Sequence, residues 1–135
     1  MPDIGYFALM AQILIIEDDR DLRVTLKAAL EDAGHGVVDV SDGQAALDTL
    51  HDGQPDLIVS DIVMDGMEGI AAIMAFRKAL PDIPVIAMSG NEFYLNSSEK
   101  LGANVTLLKP FSRRRLLAEV DGLLGISAAH LSTAS

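Results

Sequence analysis

Five side chains in this sequence have the types needed to move a phosphoryl group. Glu17 and Asp18 are adjacent carboxylates, Asp61 is a third, Ser89 offers a hydroxyl and Lys109 a compact cation. Carboxylates brought close together repel, and each raises the pKa of the others. A hard divalent cation relieves that repulsion, and an oxygen-rich donor set without Cys or His favours Mg²⁺ over zinc. One carboxylate can then act as a nucleophile toward phosphorus. Ser89 can donate to a phosphoryl oxygen, and Lys109 can pair with its charge. Nothing in the pattern has the form of a Ser-His-Asp arrangement. His35, His51 and His130 fall in turn, helix-end and tail contexts, and are expected at the surface. Each group also has a plainer account: an acidic pair can cap a helix, Asp61 can cap a turn, Ser89-Gly90 can be a simple turn, and Lys109-Pro110 a bend.

The elements that position these groups are short apolar runs, and each group stands at the end of one. Leu57-Ile58-Val59-Ser60 leads into Asp61 and is bounded by Pro55 and Gly66, which predicts a strand buried on both faces. Gln12-Ile13-Leu14-Ile15-Ile16 leads into Glu17-Asp18-Asp19, Pro84-Val85-Ile86-Ala87-Met88 into Ser89-Gly90, and Val105-Thr106-Leu107-Leu108 into Lys109-Pro110. Val37-Val38-Asp39-Val40 is a further short strand, placed nearer an edge. Helical spacing links Leu22, Leu26, Ala29, Leu30 and Ala33, with Gly34 as the stop. Ser41 with Gln44 three residues on reads as a capping box for a helix through Ala45, Ala46, Leu47 and Leu50. Ile70, Ile73, Met74 and Arg77 mark a helix ending before Pro81, a short polar helix is expected within residues 92–101, and a last helix from Ser112 buries Leu116, Leu117, Val120, Leu123 and Leu124. Five strands alternating with five helices predict a doubly wound α/β domain: a parallel sheet, right-handed crossovers, helices on both faces. Ligands of such sheets bind outside the carboxyl ends of the strands, where the five groups stand.

A chain of 135 residues, 50% hydrophobic and 22% charged, can bury a core and is expected to form one domain. The net charge of −10 argues against direct nucleic-acid binding, which rests on basic surface. The absence of Cys removes disulfides and thiolate chemistry and fits a cytoplasmic location. No apolar run reaches the ~20 residues of a membrane span. The opening stretch has no basic n-region and contains Asp3, which argues against a signal peptide.

From about Gln12 to Leu124 the chain resembles the response-regulator receiver domain of two-component signalling. The resemblance is carried by Ile15-Ile16-Glu17-Asp18-Asp19, Leu57-Ile58-Val59-Ser60-Asp61, Ile86-Ala87-Met88-Ser89-Gly90 and Leu108-Lys109-Pro110-Phe111. It implies a flavodoxin-like five-stranded sheet of order 2-1-3-4-5, an order for which a chemotaxis receiver is the standing example. It implies Asp61 as phosphoacceptor and a Mg²⁺ held by Asp18 directly, Glu17 through water, Asp61 and the Val63 backbone carbonyl. Asp19 is then a bystander and the candidate cap of the first helix. Ser89 becomes the switch hydroxyl, Lys109 the phosphate-pairing lysine, and the Lys109-Pro110 bond cis. The implied domains are residues 1–11 as an N-terminal extension, 12–126 as the receiver and 127–135 as a flexible tail.

The function so implied is Mg²⁺-dependent transfer of a phosphoryl group from phosphohistidine to Asp61. The donor is a histidine kinase or a histidine phosphotransfer protein, and the output partner is a further, unidentified protein. Such a switch catalyses its own phosphorylation and slow dephosphorylation and is not a conventional metabolic enzyme. Two alternatives from other classes are a flavodoxin-like cofactor binder and a Mg²⁺-dependent phosphohydrolase. The first lacks the loop aromatics and meets carboxylates where an anion would sit; the second lacks a cap, and its nearest second acid is Asp65. Arg113-Arg114-Arg115 reads as a docking patch or, more plainly, as a solvated helix start. The sequence departs from the family pattern at Met64-Asp65, where Met-Pro is usual, at Thr106, where an aromatic is usual, and in the shortness of residues 90–104.

Overall fold

Alternation of side chains along the three central strands of a five-stranded sheet decides the architecture, because each of those three must satisfy two apolar layers at once. A computed structural model describes residues 11–62 and 68–125, with the side chains of 68–70 excepted. In chain order the elements are β1 (Gln12–Ile16), α1 (Arg20–Asp32), β2 (Gly36–Val40), α2 (Gly43–Thr49), β3 (Leu57–Asp61), α3 (Glu68–Ala79), β4 (Val85–Ser89), α4 (Glu92–Lys100), β5 (Val105–Leu108) and α5 (Arg113–Leu124). The sheet is parallel throughout, in the order β2-β1-β3-β4-β5. The anticipated doubly wound architecture and strand order are therefore present.

Leu14, Ile16, Ile58, Val85 and Ala87 face one layer, where Ala46 of α2, Ile73 and Phe76 of α3 and Leu95 of α4 close over them. Ile13, Ile15, Leu57, Val59, Ile86, Met88 and Leu107 face the other, under Leu26 and Leu30 of α1 and Leu116 and Val120 of α5. Burying one such aliphatic side chain contributes about 1.5–3 kcal/mol, so β1, β3 and β4, buried on both faces, anchor the sheet. β2 is an edge strand, with Val38 49% exposed.

The helix ends show where side-chain chemistry overrides spacing. Asp19 caps α1, accepting from the Asp21 and Leu22 amides, as anticipated. Gly34, at φ 98°, ends that helix in a conformation that glycine tolerates best. The cap of α2 is Asp42 and not Ser41: its Oδ1 accepts from the Ala45 amide at 2.8 Å, and Gln44 turns instead to Asp48. Both residues suit the position, and the carboxylate, one residue later, takes it. Ser112 caps α5 through the Arg115 amide. Met74, on the helical stripe by spacing, is 54% exposed.

His35 corrects another expectation. It is buried, and its Nδ1 accepts from the Ala11 amide at 3.3 Å. Burial lowers its pKa, against the opposing pull of Asp121. The neutral ring satisfies the Ala11 amide, a buried main-chain donor just before β1.

Candidate phosphorylation site

Four strand tips converge on the carboxyl edge of the sheet. At the end of β1, the Glu17 amide donates to the Val40 carbonyl at 3.0 Å, which turns the chain just after the β1–β2 ladder ends. Glu17 itself is 0% exposed, while Asp18 is open to solvent. At the end of β3, Asp61 is 4% exposed. One ligand oxygen from each of Glu17, Asp18 and Asp61 lies within 4.8 Å of the other two. These residues are far apart in sequence and meet because β1 and β3 are neighbours in register, Ile16 opposite Ser60.

Lys109 enters from β5, across the width of β4. Its Nζ lies 2.8 Å from Glu17 Oε1 and 3.4 Å from Asp61 Oδ2. Its amide donates to the Ser89 carbonyl at 2.8 Å, so the β4 and β5 tips are tied where the lysine departs. The Lys109-Pro110 bond is cis, as the resemblance implied. Asp61 is paired with Met88, which places Ser89 one residue beyond the level of Asp61 on the adjacent strand. The buried Ser89 oxygen accepts from the Asn91 amide at 3.0 Å.

The electrostatics follow from burial. Burial pushes the Glu17 carboxyl up to about 7, against the Lys109 and Asp19 hydrogen bonds that hold it down. For Lys109, burial pulls downward, but the hydrogen bond to Glu17 and the attraction of both carboxylates raise its pKa above the usual lysine value. One partly buried cation thus serves two shielded carboxylates, and a third carboxylate faces water beside them. A donor set made of carboxylate oxygens fits Mg²⁺. Both Glu17 oxygens are already engaged, Oε1 by Lys109 and Oε2 by the Asp19 amide at 3.1 Å. A cation would therefore meet Glu17 through water, or else displace Lys109. Val63 lies outside the described residues, as do Met64 and Asp65.

Sequence reasoning missed Arg23 and Asp39. Arg23 donates to the Glu17 carbonyl at 2.8 Å and pairs with Asp39 of β2 at 3.2 Å. The missed signal was an acidic residue inside a short apolar strand, Val37-Val38-Asp39-Val40, which needs a cationic partner once half-buried.

The sequence model of the family described as "Response regulator receiver domain" matches residues 13–121. The chain belongs to that family. Among its relatives, the transcriptional regulatory protein CpxR of Escherichia coli (strain K12) is 38% identical over 117 residues, which is 85% of this chain and 50% of CpxR. NtrX from Brucella abortus superposes with a TM-score of 0.82 at 29% identity, over 93% of this chain and 30% of NtrX. The chemotaxis response regulator CheY4 of Vibrio cholerae does so with a TM-score of 0.76 at 27% identity, over 84% of this chain and 98% of CheY4. The chain spans about half the length of the curated relatives it matches. The family gives no support to the cofactor-binding or phosphohydrolase alternatives. No helix among the described residues is long and apolar enough to cross a membrane.

Proposed function

We propose that Asp61 is the phosphoacceptor of this receiver and that it takes its phosphoryl group from a phosphohistidine on a histidine kinase or histidine phosphotransfer protein. The observation that carries this reading is the position of the Asp61 carboxylate, 3.4 Å from Lys109 Nζ and inside the three-carboxylate cluster. An Asp61 oxygen attacks phosphorus, and the bond from phosphorus to the donor's ring nitrogen breaks with its electron pair going to that nitrogen. Asp61 is left as a mixed acyl phosphate anhydride. Lys109, already held by Glu17, pairs with a phosphoryl oxygen and balances the charge that Asp61 brings. Ser89 keeps its hydroxyl hydrogen for another phosphoryl oxygen, because its own oxygen is the acceptor toward Asn91.

Asp18 and Asp61, with Glu17 through water and the Val63 carbonyl, are the proposed holders of Mg²⁺. When bound, Mg²⁺ neutralises the carboxylates and the phosphoryl oxygens. Residues 12–126 are the proposed receiver unit, between an extension at 1–11 and a flexible tail at 127–135. The proposed setting is the cytoplasm, and the proposed output is contact with another protein.

Asp61→Asn tests the reading, since an amide cannot form the acyl phosphate. Labelling from a phosphorylated donor or from acetyl phosphate should disappear while the melting transition persists. A variant that labels as well as the parent would remove Asp61 from the role.

A further inference from the structure

The peptide that joins the two tip carboxylates is held from outside the cluster. The Glu17 carbonyl accepts from Arg23 Nη1 at 2.8 Å. The other side of that guanidinium is fixed as well, with Nε 3.2 Å from Asp39 Oδ2, while Lys27 Nζ holds Asp39 Oδ1 at 3.1 Å. The Arg23 and Asp39 side chains are only 19% and 24% exposed. The Glu17 amide is bound to Val40, the residue after Asp39, at 3.0 Å. Edge strand β2 and helix α1 thus grip the Glu17 main chain at both its donor and its acceptor.

A peptide unit is planar, so holding the Glu17 carbonyl and the Glu17 amide restricts the orientation of the Glu17–Asp18 peptide and the place of the Asp18 Cα from which its side chain leaves. Asp18 is exposed, and no side-chain hydrogen bond of its own holds it among the described residues. Its Cα position, and so the range its carboxylate can reach, is set by its main chain. Charge-assisted hydrogen bonds from a guanidinium are strong and directional, and a fork that binds a carboxylate and a carbonyl together cannot be reproduced by a lysine.

We propose that Arg23, seated on Asp39, is a positioning residue for metal binding: it sets the Glu17–Asp18 peptide so that the Asp18 carboxylate points at the cation shared with Asp61. The inference rests on the reading of the cluster as a Mg²⁺ site. Positioning and simple charge make opposite predictions. Removing a cation from beside an acidic cluster strengthens its attraction for Mg²⁺, whereas loosening the Asp18 peptide weakens it.

The test is Mg²⁺ binding to the unphosphorylated protein, followed by amide ¹H–¹⁵N shifts at residues 17–19 during titration with MgCl₂. Arg23→Ala should bind about tenfold or more weakly, the usual size of loss when a supporting partner of a metal ligand is removed. Arg23→Lys keeps the charge and should show a smaller loss of the same sign. Arg113→Ala, which removes an arginine paired with exposed Asp32 at 3.5 Å, should bind as the parent does. Arg23→Ala that is folded and binds Mg²⁺ as tightly as the parent, or more tightly, overturns the proposal. If Arg23→Ala gives no folded spectrum, Arg23→Lys decides, and parental affinity there overturns it. A parent without a saturable shift at residues 17–19 overturns the metal-site reading and this inference together.

Discussion

The two sides of the strand-tip edge are built differently. On the β1–β3 side, Glu17 and Asp61 are withdrawn from water, Lys109 spans them, and Arg23 and Asp39 hold the Glu17 main chain. Charges are close, and motion there would unpair a buried ion. On the β4–β5 side, Ser89 is held through its neighbours' amides, and the short helix α4 begins at Glu92 with Phe93 70% exposed and set edge-on to Tyr94 at 5.7 Å. Half-buried Thr106 borders an open cavity of about 670 Å³ between α4 and α5, lined also by Leu95, Asn96, Phe111 and Arg115. The comparison teaches that phosphorylation chemistry needs a side that does not yield, while a response needs a side with room to move.

Breaking the rigid side should have the largest effects. If the cluster holds Mg²⁺, saturating metal at 100 times its dissociation constant should stabilise the folded chain by about 2.7 kcal/mol. The melting temperature should rise accordingly, and Asp18→Ala should abolish the rise. A melting temperature that ignores Mg²⁺ in the parent would dissolve the contrast between the two sides.

The acid-base behaviour of Glu17 is the next largest effect. Its folded pKa of about 7 lies above the ordinary 4.5, so the folded state holds a proton that the unfolded chain gives up. Stability from this group is present below about 4.5 and is lost as pH rises through about 7. Denaturant titrations across that window should show the loss in the metal-free parent and not in Glu17→Gln. The same loss in both proteins would mean that Glu17 does not titrate there.

The smallest effects belong to the yielding side. Phosphorylation can shift a two-state element only through contacts that differ between the states. Residues 90–101 follow directly on Ser89, so their amide shifts or exchange rates should change most on adding Mg²⁺ and a phosphoryl mimic. Thr106→Ala should alter stability by no more than ~0.5 kcal/mol and leave labelling close to parental. Large changes centred on Thr106, with residues 90–101 unmoved, would reverse the assignment of the mobile side.

The strands, their parallel order and the chemistry at their tips were legible because they depend on local patterns. Apolar runs such as Leu57-Ile58-Val59-Ser60 admit one kind of element in an α/β alternation, and the carboxylates, hydroxyl and lysine that end four of the runs are visible in the string of residues. The resemblance then joined tips that no local rule connects, and β1 lying beside β3 brings them within ligand distance. What the sequence could not assign were choices between near-equal local candidates and the fate of polar groups once buried. Ser41 and Asp42 both suit a cap, and the path of the chain into α2 selects Asp42. His35 looks like a turn residue until the Ala11 amide needs an acceptor in a shielded corner. Arg23 looks like a helix-surface residue until β2 brings Asp39 beside it and the turn after β1 offers the Glu17 carbonyl. The physical reason is common to all three. Periodicity reports which face of an element is apolar, but a hydrogen bond between segments distant in sequence depends on distances that only the packed sheet creates.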